Sequence, residues 1–197
     1  PKYFYLNKKN YLNTTLKKLI KKNKLTFPIV VKPNNEGSSI GVRICKNLAI
    51  LQKEFKKLNK VYENLLFENY IPGQEIQVAL MGGKSIGAIE LKPKRAFYDY
   101  KAKYKKSANT LHIMPAQISR KKYNQVLRIS EKAYKILKCK GIARCDFRYH
   151  KNTFYLLELN TQPGMTSLSL VPEIANYSNI SFKQLVNWMI KDSSINR

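Results

Sequence analysis

Carboxylates are scarce in this chain. Twelve Asp and Glu stand against 37 Lys and Arg in 197 residues, giving a formal net charge of +25. That balance excludes a solvated acidic surface and makes the few retained acids informative, notably Glu68, Glu75, Asp99, Asp146 and Glu158. Long apolar runs are also missing. None approaches the roughly 18 residues that a membrane span needs, so no membrane partner is expected. The three cysteines, Cys45, Cys139 and Cys145, are odd in number and lack CxxC spacing. This excludes a disulfide framework and predicts free, small apolar residues in a reducing, cytoplasmic compartment. No internal repeat or low-complexity linker interrupts the chain, and the G-x-x-x-x-G-K-[ST] phosphate loop is absent.

What is abundant is lysine, which supplies 30 of the 37 basic residues, together with Asn, Ile and Tyr. All four have AT-rich codons, so genomic base composition suffices to explain the charge. A basic nucleic-acid-binding module stays open as a rival. Either way, the surplus charge favours a polyanion such as ATP. At 44% hydrophobic residues the chain can bury a core.

In order, the pattern predicts a strand over 2–6, a helix over 11–22, and a buried strand over 27–32 (FPIVVK). A loop, PNNEGSSIG, follows over 33–41. A strand over 42–45, a helix capped by Asn47 and running to about Lys57, and a strand over 64–70 come next. Ile71-Pro72-Gly73-Gln74 is a candidate boundary, giving units 1–71 and 72–197. A hairpin over 75–80 and 84–91 turns at Met81-Gly82-Gly83. Residues 93–110 read as a long polar Ω-type loop with interleaved aromatics. The longest helix spans 119–140 and ends at Gly141. Two short helices follow near 170–176 and 181–191. The fold class is α+β, in two mixed lobes.

The chain is organised around GIARCDFRYHKNTFYLLELNTQPGMT, residues 141–166. Two strands, 142–149 and 153–159, flank His150-Lys151-Asn152. Period-two alternation puts Arg144 and Asp146 on one face, and Glu158 with Asn160 on one face. A hairpin centred on Lys151 sets Arg144 opposite Glu158 and gathers all four; a register one residue off separates the pairs. Two carboxylates and an amide oxygen suit Mg²⁺, and an adjacent Arg can steady a developing anion. A surface salt-bridge cluster is the plainer reading of the same four residues. The Pro-Gly turn that follows can present backbone N–H groups to an anion.

Three further stretches carry chemistry. Lys32 ends a strand beside the Gly- and Ser-rich loop that holds Ser38 and Ser39, where a lysine can meet phosphate as a point charge. An ordinary surface turn is the alternative. Glu68 and Glu75 flank the boundary in LLFENYIPGQE; exposed acids at strand ends are commonplace. AFYDYKAKY fits a closing loop, with Tyr98 and Tyr104 to pack and Lys103 to offer charge, or else a nucleic-acid patch.

Taken together, these motifs resemble the ATP-grasp ligases, and ELNTQPGMTSLSLVP resembles the D-alanine–D-alanine ligases among them. The resemblance covers essentially the whole chain, with the motifs in the family's order. It implies an ATP-grasp fold, with nucleotide between two lobes. The first, 1–71, would carry the phosphate-binding serine loop, and the second, 72–197, the ω-loop, the metal site and the D-alanine site.

It further implies ATP and Mg²⁺ or Mn²⁺ as cofactors, D-alanine as substrate, no specific nucleic acid, and a homodimer at full length. By resemblance, Lys32 contacts the α- and β-phosphates, Ser39 belongs to the loop that closes over the nucleotide, and Ser38 helps organise the first D-alanine. Glu68 accepts from the adenine amino group, Ile71 supplies backbone hydrogen bonds, and Glu75 takes the ribose hydroxyls. Tyr98 and Lys103 belong to the ω-loop, with Lys103 on phosphate and Tyr104 facing the second substrate. Asp146, Glu158 and Asn160 are the metal ligands. Arg144 and the N–H of Gly164 stabilise a tetrahedral intermediate, and Ser169 and Leu170 bind the second carboxylate.

The implied activity is ATP-dependent ligation of two D-alanines through an acyl phosphate, feeding peptidoglycan synthesis. Another ATP-grasp carboxylate–amine ligase is the rival within the class. Lys101 stands where the family usually has an acid, and His112 and His150 match no ligand or base. The chain opens on Pro1 rather than Met. The family's N-terminal domain, with its substrate-anchoring acid, and a nucleotide-binding Lys are expected upstream, so this segment alone is expected to be inactive.

Overall fold

The structure, a computed structural model, describes residues 1–9, 15–93, 110–166 and 169–193. Tyr98, Asp99, Lys101, Lys103 and Tyr104 lie outside the described residues, as does the expected start of the first helix. Two compact units divide between Ile71 and Pro72.

The first unit holds β1 (Tyr3–Asn7), α1 (Leu16–Lys22), β2 (Ile29–Pro33), β3 (Arg43–Cys45), α2 (Leu48–Val61) and β4 (Asn64–Asn69). Its four strands run β1-β4-β2-β3, antiparallel at each step. Alternation decides which face is covered. Phe4, Leu6, Ile29, Val31, Leu65 and Phe67 turn inward to Leu51 and Phe55 of α2, and Phe4 stacks on Phe67 with ring centroids 4.6 Å apart. The opposite face carries Tyr3, Tyr5, Val30, Lys32, Leu66 and Glu68, which the register sets side by side. Asn47 caps α2 by accepting from the N–H of Ile50 at 3.0 Å. The helix runs on to Val61, past the expected end near Lys57, because Leu58 continues its apolar stripe into the core.

The second unit holds β5 (Gln74–Met81), β6 (Lys84–Lys92), β7 (Leu111–Ile113), α3 (Arg120–Ile136), β8 (Ile142–His150), β9 (Thr153–Asn160), α4 (Leu170–Tyr177) and α5 (Phe182–Asp192). The order is β7-β6-β5-β8-β9, again antiparallel throughout. Ile76, Val78, Leu80, Ala143, Cys145 and Phe147 pack one face onto α3 through Val126 and Tyr134. On the other face α4 covers β6, with Ile174 against the backbone of Gly87. On β5, β8 and β9 that face carries Ala79, Met81 and Ile142 toward one end and a polar row, Glu75, Gln77, Arg144, Asp146, Arg148, Glu158 and Asn160, along the rest.

Two local expectations are corrected, and one strand is added. The helix expected to reach Lys140 stops at Ile136, well before Gly141. Lys138 takes φ 52° there, and the N–H groups of Lys138 and Cys139 donate to Lys135 O and Tyr134 O, a Schellman ending in which lysine stands in for glycine. Strand β7 lies just past the loop expected over 93–110, where the sequence pattern assigned no element; three residues pairing with the edge of β6 leave almost no periodic signal. The β8–β9 turn has two central residues, Lys151 and Asn152, at φ 46° and 63°, instead of the three assumed.

Candidate functional site

The polar face of the second sheet is built by register. Arg144 pairs with Asn160, and Asp146 with Glu158, so the expected opposition of Arg144 and Glu158 is corrected. A two-residue turn by itself would place Asp146 opposite Leu157 and send Glu158 to the core face. Between Phe147↔Leu156 and Asp146↔Glu158 the ladder skips Leu157, a β-bulge that restores the parity. Leu156 and Leu159 therefore pack on the core while Glu158 and Asn160 join Arg144 and Asp146. All four share one face, by a different device from the simple alternation expected.

The side chains meet. Arg144 grips Asp146 in a bidentate fork, Nε donating to Oδ1 at 2.7 Å and Nη2 to Oδ2 at 2.9 Å. Asp146 is 5% exposed. Asn160 Nδ2 reaches Asp146 Oδ2 at 3.5 Å and donates to Glu158 Oε1 at 3.3 Å. A half-turn of that amide exchanges nitrogen for oxygen.

Two residues not singled out from sequence continue the row. Arg148 lies opposite Glu75 and donates to its Oε2 at 3.3 Å. Gln77 lies opposite Asp146, is 1% exposed, and its Oε1 has no hydrogen-bond partner among the described residues. An orphaned buried amide oxygen costs about 1–3 kcal/mol. The signal for both was present: QEIQVAL alternates and puts Gln77 with Glu75 on the face away from Ile76 and Val78, and RCDFR puts Arg148 on the face of Arg144 and Asp146. The donor set of two carboxylates and one amide, beside an unsatisfied amide oxygen, fits a hard divalent cation such as Mg²⁺.

The loop after β9 brings Gly164 against Ser169. A Cβ on Gly164 would stand 2.8 Å from Ser169 Oγ, so only glycine fits without displacement. Ser169 is the N-cap of α4 but makes no side-chain cap bond. Its Oγ instead accepts from the N–H of Thr166 at 3.0 Å. Leu170, the first residue of α4, is buried, and the helix N-terminus there is a place for an anion.

In the first unit, Lys32 Nζ donates to Glu68 Oε1 at 2.7 Å, and Glu68 is 7% exposed. Lys32 and Glu68 lie on neighbouring strands, on the face away from α2. Beyond β2, Ser38 and Ser39 take φ 53° and 62°, and the N–H of Ile40 donates to Gly37 O at 3.0 Å, closing a tight turn. Gly41 follows at φ 72°, where a Cβ would stand 2.6 Å from Pro33 Cγ. Such backbone is strained for serine and is characteristic of functional loops. Ile71 sits in the irregular connection between β4 and β5. His112, read as structural, has Nδ1 2.7 Å from Glu173 Oε2 of α4.

Residues 1–191 match the family model described as D-ala D-ala ligase C-terminus. The D-alanine–D-alanine ligase of Pelagibacter ubique is 54% identical over the whole of this chain, which spans 64% of that relative. That of Pseudothermotoga lettingae is 42% identical over 95% of the chain and 63% of the relative. Among solved structures, the D-alanine–D-alanine ligase of Bacillus anthracis aligns with TM-score 0.82 at 32% identity, over 98% of this chain and 61% of that one. A second structure of that enzyme, complexed with ATP, aligns at TM-score 0.80 and 27% identity, over 98% and 59%. The chain thus spans somewhat under two thirds of the curated relatives it matches, and its α+β architecture of two antiparallel sheets is that of these ligase structures. By the match over residues 1–191, this chain belongs to the D-ala D-ala ligase C-terminus family.

Proposed function

We propose that this chain is the nucleotide- and metal-binding part of a ligase that joins two D-alanines at the expense of ATP. The observation that carries the reading is the convergence of Arg144, Asp146, Glu158 and Asn160 on one sheet face, in a chain 54% identical to a D-alanine–D-alanine ligase over its whole length. Asp146, Glu158 and Asn160 would hold Mg²⁺ or Mn²⁺, which when bound neutralises phosphate charge. Lys32 would move from Glu68 to the α- and β-phosphates of ATP, leaving Glu68 to accept from the adenine amino group. Ile71 would bond the ring through its backbone and Glu75 the ribose, with the nucleotide shared by the two lobes.

In the first step a D-alanine carboxylate oxygen attacks the γ-phosphorus and ADP leaves, giving an acyl phosphate. The amino nitrogen of the second D-alanine then attacks the acyl carbon, and inorganic phosphate leaves as the nitrogen loses a proton. Arg144 and the Gly164 N–H would steady the negative oxygen of the tetrahedral intermediate. Ser38 would orient the first D-alanine and Ser39 would help close the loop over the nucleotide. Ser169 and the N–H of Leu170 would hold the second carboxylate. Tyr98, Lys103 and Tyr104 keep the roles the family resemblance implies.

The test is D-alanine-dependent phosphate release by the protein extended to its relatives' full length. Release that requires ATP and D-alanine is expected. No release, with salt-dependent DNA binding instead, would sink the ligase reading and favour the nucleic-acid module.

A further inference from the structure

We propose that Gln77 is a positioning residue of the metal site, its buried amide oxygen accepting a hydrogen bond from water in the shell of a divalent cation held by Asp146 and Glu158. The inference rests on the metal reading above and adds a residue to it from the opposite side of Asp146.

Asp146 lies on β8, between Glu158 on β9 and Gln77 on β5, and the three are direct cross-strand neighbours on one face. Gln77 is 1% exposed, and its Oε1 has no hydrogen-bond partner among the described residues. The other neighbour of Gln77, Ile89 on β6, is apolar and fully buried and has no side-chain donor to offer. Among the described residues of this face, the two guanidinium groups are engaged with carboxylates, Arg144 with Asp146 and Arg148 with Glu75.

An amide oxygen beside two carboxylates repels an anion and calls for a donor. Mg²⁺ and Mn²⁺ keep several of their waters when bound, and those waters present only hydrogens to the surroundings. Partners at that distance set the orientation of ligands and tune metal affinity without touching the ion. Leucine or valine in this position would complete the apolar neighbourhood of Ile89. A glutamine whose oxygen goes unmatched in the protein has its use in a group that arrives from outside.

The experiment titrates Mn²⁺ into the protein extended to its relatives' full length, in the presence of a non-hydrolysable ATP analogue. Binding is read by water-proton relaxation enhancement, which reports water on the bound ion, and by the Mn²⁺-dependent rise in Tm. Wild type is compared with Asp146→Asn, Gln77→Met and Gln77→Glu. Methionine keeps the volume and removes the oxygen. Gln77→Met should show a metal-free Tm no lower than wild type and about tenfold weaker Mn²⁺ binding. A purely structural glutamine would instead lower the metal-free Tm and leave Mn²⁺ affinity alone.

Gln77→Glu strengthens the acceptor and adds buried charge. Its metal-free Tm should fall and its Mn²⁺-dependent rise should exceed that of wild type, and this arm decides the matter if Gln77→Met does not fold. Wild-type Mn²⁺ affinity in Gln77→Met, or no larger rise in Gln77→Glu, overturns the role of Gln77 while loss of binding in Asp146→Asn leaves the metal site standing. No Mn²⁺ binding by wild type, or unaltered binding by Asp146→Asn, overturns the metal reading and this inference together.

Discussion

Asp146 faces Glu158 across β8 and β9 because Leu157 is left out of the ladder between them. The opposed carboxylates share their patch with Arg144, which holds both oxygens of Asp146. This geometry makes the roles of Arg144 and Asp146 separable by measurement.

If Arg144 serves the tetrahedral intermediate, Arg144→Ala in the full-length protein lowers kcat by about 10²–10³, as loss of an oxyanion donor does. The Kd for ATP should change little, since the loss is selective for the transition state. Arg144→Lys should rescue only in part, because a point charge cannot reproduce the planar fork on Asp146. Steady-state phosphate release beside a nucleotide titration checks both; wild-type turnover in Arg144→Ala would end the assignment.

Lys32 and Glu68 make the corresponding pair in the first unit. Lys32→Ala strips the nearly buried Glu68 of its 2.7 Å partner. The expected cost is about 1–3 kcal/mol of stability, measured by urea unfolding without ligand. The same variant should lose most of the rise in Tm that ATP with Mg²⁺ gives wild type. Glu68→Gln, which leaves no charge behind, should be the milder change in stability. An unchanged nucleotide affinity in folded Lys32→Ala would argue against phosphate contact.

The cysteines give a prediction in pH. Burial pushes the Cys145 thiol up to about 12 and, with help from Glu54, that of Cys45 up to about 11. Both remain thiols in the folded chain at pH 8, so a thiol-exchange reagent should titrate only the half-buried Cys139 rapidly, and all three after denaturation. The sign for stability follows from the raised values. The contribution of keeping both protons is fully present below pH about 9 and is lost as pH rises through about 11 and 12. Two or more rapidly reacting thiols in the native chain would contradict this packing.

Much of this was legible in residue order. Alternation in YFYLN and QEIQVAL fixed which faces are covered, and Asn47 and Ser119 start their helices as capping chemistry requires. Where reading from sequence erred, a non-local or compensated term decided. Glycine at 141 looked like a helix stop, yet Lys138 accepts the left-handed turn earlier because backbone bonds to Tyr134 and Lys135 satisfy the helix end. β7 owes its strand to an exposed edge of β6 and not to its own three residues. In the site, the residue types were legible but their partners were not. Strand parity cannot reveal a bulge, because Leu156 and Leu157 are chemically alike and nothing in their order says which is skipped.

That likeness has a consequence for how this hairpin can change length. One of the two leucines is a spacer. Deleting it from the middle of β9 would leave Leu156 opposite Phe147 and Glu158 opposite Asp146, now in an unbroken ladder, with core and polar positions unchanged. A single-residue deletion inside a paired strand ordinarily turns the rest of the strand inside out. Here the shortened chain should fold, with a Tm near that of the parent, and its loss should fall on metal affinity, because the bulge no longer aims Glu158. Related chains one residue shorter at this doublet would then be natural variants of one site, with the same residues on each face and a different metal affinity.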